Sequence, residues 1–558
     1  MMRAMRVMVA LCWGAACAPN LDPDFDGSAE PNGSACRPGL APHDIQGAAS
    51  VSPLMGQTLD VAGVATVAGH LSAERPGFFL QSLESDADPL TSEAVFVAWP
   101  GPAPATGTRV RVRGTVDEAA GMTELGAIER LDECGARALE PAIIDVRELE
   151  DPEAWEGMWV RARGDWSLVD VSGSAQGRVT ASPRGRVYAS GHALAEATEP
   201  ELWTVRPAAP GHAPAPAGEH VPWRLGSELG EIGGVLCSEG QSRELLTTGA
   251  LAWSSNVPAA PVRPPGAGLR LVALNLHNYF VSLDGRGARS AGELARQRDA
   301  LVAALVALDA DILALTELEN RGADGLVHLL EGLDRALPSD RRYAFEETPA
   351  PSGGPLRAGI AFRPGRVRAR GAAWFSDTEG FRRPPLFQSF ESEGFSFTLG
   401  VVHLASKRCD DEPKVVPEEG CGDATRRREA ELLLGEAAVL AATSPQPLLV
   451  MGDFNADARE APLELLARGG FGDLLSALPA PDRYSYVFDA RASLLDHALA
   501  RVEFAAHVRS SAIWHINADE PRGVEAAHAA STPSARRSSD HDPIVLDLHP
   551  GGVRPMGL

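Results

Sequence analysis

The run Leu448-Leu449-Val450-Met451-Gly452-Asp453-Phe454-Asn455 decides the fold. Its apolar half is short enough for a buried strand, and the glycine with two polar residues marks a turn where that strand leaves a sheet. The construction recurs along the chain. Asn275 interrupts Leu271-Val272-Ala273-Leu274-Asn275-Leu276, Glu317 ends Ile312-Leu313-Ala314-Leu315-Thr316-Glu317, and His403 ends Leu399-Gly400-Val401-Val402-His403. Asp496-His497 follows Leu494-Leu495, and Ser538-Ser539-Asp540-His541-Asp542-Pro543 precedes one more apolar strand. Taken singly, a glutamate at a strand end is a solvated cap and Gly-Asp-x-Asn a common turn. Strand ends of one sheet converge on one rim, however, so the whole set can share a site.

Around these breaks the chain alternates strand and helix. Strands are expected over 271–276, 312–316, 395–403 and 447–451, with an amphipathic helix over 291–308, a helix over 326–336 and a long helix over 424–442. Mixed strands and helices over residues 269–550 make an α/β domain large enough for its own core. Glu, Asp and Asn offer hard oxygen ligands suited to Mg²⁺, with Mn²⁺ or Ca²⁺ as alternatives. The thiolates of a structural zinc site are missing from the set. Oxygen ligands plus two separated histidines describe metal-assisted hydrolysis of a phosphate ester.

The front of the chain reads differently. Short strands are expected over 58–67, 77–80, 94–98, 109–116 and 123–128. In Arg109-Val110-Arg111-Val112-Arg113 arginines and valines alternate, one face each. Five short strands fit a small β-barrel, and an OB-like barrel leads. Residues 136–253 are expected to add β structure, including 158–162 and 177–180, interrupted by a Pro/Ala-rich loop at 206–218. The proline-rich stretch 254–268 reads as a linker.

The ordered motifs resemble the endonuclease/exonuclease/phosphatase superfamily, the fold of pancreatic deoxyribonuclease. More narrowly they resemble secreted bacterial nucleases in which an OB-like domain precedes the catalytic one. Beyond the strand breaks, the resemblance rests on Asn275-Leu276-His277-Asn278-Tyr279-Phe280, Glu317-Leu318-Glu319-Asn320, Arg383-Pro384-Pro385-Leu386, His403-Leu404-Ala405-Ser406-Lys407, Tyr486-Val487-Phe488-Asp489 and Trp514-His515-Ile516-Asn517-Ala518-Asp519-Glu520. It implies a multidomain chain: an OB-like β-barrel over 41–135, further β structure over 136–253, and a four-layer α/β sandwich over 269–550.

Carried over by position, the resemblance places the cation on Glu317 with Asn275, with Asp540 beside it. Asp453 would orient or deprotonate the attacking water, and Asn455 would bind a phosphate oxygen. His541, oriented by Asp496, would contact the scissile phosphate, with His403 as donor or general acid across it. Arg383, Asn278 and Lys407 would bind substrate. Gly354 stands where the pattern has an aspartate, so His403 is expected to lack a carboxylate partner and to keep an ordinary imidazole pKa. The substrate implied is nucleic acid, extracellular DNA first and RNA second. A phospholipid phosphodiesterase or phosphatase is the alternative, and an inactive surface binding protein the third reading. The lipid reading wants an exposed aromatic or apolar hairpin, and no such run is legible in 269–548.

Composition bounds these readings. The chain has 558 residues, 44% hydrophobic and 23% charged, which excludes a disordered or collagen-like polypeptide. With 51 basic against 75 acidic residues the net charge is -24, unlike a basic nucleic-acid binder of the usual kind. Phosphate chemistry on so acidic a chain requires a cation.

Residues 1–17 read as a secretory signal: Arg3 and Arg6, an apolar run, then Ala15-Ala16-Cys17. Cys17 is a candidate lipidation site and 18–40 a surface tether, so the protein is expected to be exported, either secreted or an outer-membrane lipoprotein of a bacterium. Membrane contact is expected only through that anchor, and no protein partner is inferred. Export permits disulfides. Cys409 with Cys421 and Cys36 with Cys134 are the candidates, leaving Cys237 free.

Overall fold

In the C-terminal half two mixed sheets lie face to face. One has the strand order Leu356–Phe362, Ile312–Glu319, Leu269–Tyr279, Ile544–Leu548, Val508–Ile513. The other runs Arg368–Phe375, Leu386–Ser392, Phe395–His403, Leu448–Asp453, Asp496–Ala500, Gly472–Asp473. Alternate residues along each strand decide what they bury. Leu271, Ala273, Ile312 and Ala314 meet Phe397, Leu399, Val401, Leu449 and Met451 between the sheets. Val272, Leu274, Leu313 and Leu315 face the helices Ala291–Leu308 and Asp324–Ala336. Val402 and Val450 face the helices Asp423–Thr443 and Ala461–Arg468. The result is helix, sheet, sheet, helix, with strands buried on both faces, which is why they read as near-continuous apolar runs.

This computed structural model describes residues 39–551, apart from 73–74, 120, 173–176, 196–200, 209–222, 240–241, 255–256, 284–285, 410–418, 522–533 and 550. The expected signal peptide 1–17 with Cys17, the tether as far as residue 38, Cys36, and residues 209–218 of the Pro/Ala-rich loop lie outside the described residues. No described helix is long and apolar enough to cross a membrane.

Thr58–Ser72, Arg75–Gln81, Ala94–Ala98, Thr108–Ala119 and Met122–Ala136 form a closed five-stranded barrel. The third and fifth strands pair in parallel, and the fourth closes against the first. Val110, Val112 and Val116 point into its core, as the alternation predicted. Two of the three arginines on the other face are paired with acids. Arg111 pairs with Asp60 at 3.2 Å, and Arg113 pairs with Asp60 and Glu129, each at 3.0 Å.

Residues 142–247 form a seven-stranded sheet with its own core around Trp166 and Trp203. Val235 and Leu246 of this sheet pack on Phe79, Phe96 and Met122 of the barrel. Between the two bodies Glu156 accepts from Gln46 Nε2 at 2.8 Å, and burial pushes its carboxyl up to about 8.

The stretch expected as a linker is strapped down. Arg263 donates to Asp311 at 2.9 Å and to the Asp309 carbonyl at 2.6 Å. Trp514 Nε1 donates to the Pro258 carbonyl at 3.1 Å. Prolines leave carbonyls unmatched by local N–H groups, and here side chains of the C-terminal half satisfy two of them, since Arg270 Nη1 also donates to the Pro261 carbonyl at 2.8 Å. A disulfide joins Cys409 to Cys421, Cys134 is also disulfide-bonded, and Cys237 is free and buried.

Candidate active site

The polar breaks do meet, at the strand ends where the two sheets face each other. Local backbone irregularity aims them there. The pairing of Leu269–Tyr279 with Ile312–Glu319 slips between Asn275 and Tyr279, and that of Ile312–Glu319 with Leu356–Phe362 slips between Leu315 and Leu318. His277, Asn278, Glu317 and Asn455 all take positive φ, at 55°, 52°, 62° and 48°. Non-glycine residues rarely adopt that region, and such strain collects at functional sites. Gly452 has φ 135°, and a β-carbon there would stand 2.2 Å from the Val402 carbonyl oxygen. Only glycine lets the strand carrying Asp453 lie so close to the strand carrying His403.

Asp453 is the hub. Its Oδ1 accepts from the Asn455 amide at 2.8 Å and its Oδ2 from Asn275 Nδ2 at 3.0 Å. The same Oδ2 faces His403 Nε2 at 3.4 Å and His541 Nε2 at 3.9 Å. Burial pushes the Asp453 carboxyl upward, opposed by His541 and reinforced by Asp496 and Glu317. His541 Nδ1 lies 2.6 Å from Asp496 Oδ2. Burial disfavours its charge, yet Asp496 and Asp453 on either side hold the imidazole well above its usual range. Glu317 Oε2 accepts from the Asn278 amide at 2.6 Å, and its Oε1 lies 3.9 Å from His403 Nε2. Asp540 stands next to His541, 3.7 Å from His277 Nε2.

Several expectations need correcting. His403 does not lack carboxylates, since Asp453 and Glu317 both face it. Its pKa is not ordinary either: burial first, then Arg383 and His541, drive it well below the usual imidazole value. Gly354 sits at a chain reversal, where its carbonyl accepts from Asn320 Nδ2 at 3.1 Å. Arg383 is no free phosphate clamp. Its Nε donates to the His403 carbonyl at 3.0 Å and its Nη2 to the Leu404 carbonyl, so it braces the exit of the His403 strand. Lys407 is turned to Glu460 and to Asp457, the latter at 3.6 Å. Asn278 meets Glu317 through its backbone amide. Asn455 donates from Nδ2 to the Leu404 carbonyl at 3.1 Å.

The sequence reading missed the residues that hold these groups. Ser485 Oγ donates to Asp496 Oδ2 at 2.7 Å, Ser539 Oγ to the Asn275 carbonyl at 2.6 Å, and Asn517 Nδ2 to the His541 carbonyl at 2.7 Å. Glu429 accepts from the Arg382 and Ala405 amides at 2.8 and 2.7 Å. Serine and glutamate at such positions carry no local signal, because their partners are remote in sequence. A hairpin of Tyr486–Phe488 and Arg491–Ser493 was also missed as an exposed aromatic element. Phe488 is 59% exposed at its turn, and the Tyr486 ring lies 4.7 Å from that of His541.

The donor set fits a hard divalent cation. Glu317 and Asp540 supply carboxylate oxygen and Asn275 amide oxygen, with no thiolate among them. Asp453, Asp496 and His541 also lie close enough together to hold an ion. With Asp496 2.6 Å from its Nδ1, the His541 imidazole in this second group is also placed for proton handling. Another such group, His43, Asp86 and Glu93, lies on the barrel, with His43 Nδ1 already 2.6 Å from Glu93.

The human Nocturnin catalytic domain, solved with bound sulfate, is 19% identical, with 51% of this chain and 96% of that chain covered and a TM-score of 0.37. Humanized D. rerio TDP2 is 19% identical over 50% of this chain and 98% of that chain, at a TM-score of 0.35. The mannosyl-6-phosphatase Bt3783 of Bacteroides thetaiotaomicron is also 19% identical, over 50% of this chain and 99% of that one, at 0.35. No curated protein matches the chain. Residues 273–541 match the Endonuclease/Exonuclease/phosphatase family model. That segment, just under half of the chain, holds the whole cluster from Asn275 to His541, so the site lies within the part of the chain that is similar to that family.

Proposed function

We propose that the protein is a divalent-metal-dependent phosphodiesterase, most simply a nuclease acting on DNA, with RNA as a second substrate. The observation that carries this is His541 set between Asp496 at 2.6 Å and Asp453 at 3.9 Å, in one cluster with Asn275, which donates to Asp453, and Glu317, which lies 3.9 Å from His403. A bound cation would be held by Glu317 and Asn275, with Asp540 beside it, and would supply charge neutralisation on the phosphate oxygens. The chain's own groups do the rest. Asp453, with its carboxyl raised by burial, accepts a proton from an attacking water that it also orients. His541, kept cationic by Asp496, donates to a non-bridging phosphate oxygen as negative charge builds there. His403, kept neutral, offers an uncharged N–H on the far side.

The barrel's strand order supports an OB-like reading, and Tyr486 beside His541 offers a ring on which a base could stack. The exposed Phe488 favours the second reading, a lipid phosphodiesterase, because an aromatic hairpin tip beside the site could enter a headgroup layer. The disulfides support export to an oxidising compartment. Secretion with or without lipidation at Cys17 remains part of this proposal.

One assay tests it. Plasmid, single-stranded DNA, RNA and sphingomyelin are each offered with Mg²⁺ and with EDTA. Cleavage of nucleic acid that EDTA abolishes, and that Glu317→Gln lowers by orders of magnitude, is expected. Turnover of sphingomyelin alone selects the lipid reading, and full activity of Glu317→Gln or in excess EDTA overturns the metal assignment.

A further inference from the structure

The middle region that carries the seven-stranded sheet reaches the active site through two arginines, Arg224 buried and Arg186 partly so. Arg186 donates to both oxygens of Asp519, at 2.8 and 3.1 Å. Arg224 pairs with Glu520 and donates to the His515 carbonyl at 2.6 Å. Asp519 and Glu520 are each about 1% exposed. Buried carboxylates hold their place only while paired.

The loop these carboxylates close is the one that grips the site. Asn517 Nδ2 donates to the His541 carbonyl, and the Asn517 and Ala518 amides donate to Asp542 Oδ1 at 2.8 and 2.9 Å. Arg186 lies over the Tyr484 ring at 4.2 Å, and that ring stacks on His515 at 3.8 Å. Tyr484 donates from its hydroxyl to Asp519 at 2.9 Å. The next residue, Ser485, donates to Asp496 and accepts from the Asp542 amide at 2.7 Å. Both halves of the Asp496–His541 pair are therefore tied, by separate routes, to groups that Arg186 and Arg224 clamp.

We infer that Arg186 and Arg224 are positioning residues for hydrolysis, and that the middle sheet completes the active site of the C-terminal half by fixing loop 514–520. The inference rests on the function proposed above for its kinetic consequence and on the geometry alone for its structural one. Neither arginine touches the reacting atoms. A catalytic pair displaced by a fraction of an ångström loses rate while substrate binding, made elsewhere, persists.

The test uses the full chain carrying Arg186→Met, Arg224→Met, Arg186→Lys and Asn517→Ala. On a short labelled deoxyoligonucleotide with Mg²⁺, each Met variant should lose about 10- to 100-fold in kcat with KM changed less than about 3-fold. Arg186→Lys, which keeps the charge without the planar fork, should recover part of the loss. In the Asn517→Ala background, where the loop has lost its side-chain hold on the His541 carbonyl, Arg186→Met should cost less than it does alone, because one of the two routes it serves is already cut. Additive losses, or an equal fall in kcat/KM through KM alone, would reduce both arginines to general stabilisers and overturn the inference. Amide hydrogen exchange supplies a reading without turnover. Arg186→Met should speed exchange at Asn517, Ala518 and Asp542 and leave the barrel strands unchanged. Unchanged protection of those three amides in a folded variant sinks the inference even if the enzyme is active. Faster exchange in a protein that cleaves no phosphodiester upholds it while the proposed function fails. Should a Met variant not fold, the exchange comparison is made on Arg186→Lys.

Discussion

His541 has the geometry of a group whose loss is felt twice. Its removal deletes a cationic donor and leaves Asp496 as a buried carboxylate beside the anionic site. His541→Ala should cost at least ~100-fold in turnover, the low end for a positioned acid–base group. Asp496→Asn should cost a similar factor, and the double variant little more than either alone, because the pair acts as one unit. Single-turnover rates of the three variants check this, and independent, multiplying losses would separate the two residues. A second histidine answers to pH through stability rather than catalysis. His497 Nδ1 lies 2.7 Å from Asp473 and its Nε2 2.9 Å from the Ala456 carbonyl. Burial works against its charge, but Asp473 outweighs it and lifts the imidazole to about 9. A folded pKa above the unfolded value of roughly 6.5 gives stability that is complete below that pH and fades as pH climbs through about 9. Urea melts should therefore weaken from pH 6.5 to 9 in the natural protein and much less so in His497→Gln. Parallel curves for the two would remove the ion pair from the account.

Among elements, the strand leading to Asp453 shows what was legible in the sequence and what was not. Its apolar run, its glycine and its carboxylate were all readable, because a strand buried on both faces must be apolar and its exit must break. The helix Ala291–Leu308 was readable for a similar reason, with Ser290 accepting from the Glu293 amide at its start. The packing demand on Gly452 was not, since it arises from the neighbouring strand's carbonyl. Gly452→Ala should push those strands apart, lowering both the melting temperature and the activity. A variant with natural melting and natural turnover would show that the strands yield without cost. The same limit hid the roles of Arg383 and Lys407. A sequence shows that a cation is present near a motif, but not that a carbonyl or a carboxylate already holds it. The titration of His403 was misread for a related reason, because burial, which is a property of the whole site, outweighs any single missing partner.

On the scale of the whole molecule, charge sets an expectation about binding. A chain of net charge -24 gains little from counterion release on a polyanion unless arginines stand free to meet phosphate. On the barrel, Arg111 and Arg113 are already paired with acids. Arg111→Ala and Arg113→Ala should leave the salt dependence of single-strand binding unchanged, whereas a slope shallower by about 1 per arginine would mark them as phosphate contacts. The order of strands in the first catalytic sheet has a consequence of another kind, for biosynthesis. Ile544–Leu548 lies inside that sheet, paired on one side with Leu269–Tyr279 and on the other with Val508–Ile513. His541 arrives only three residues before it. A nascent polypeptide can build the barrel and the middle sheet early, but the candidate site has a gap through its middle until residues 541–548 have been made. A chain that stops short of His541 therefore lacks both that imidazole and the strand that seats it, so the candidate site is completed in one step rather than gradually.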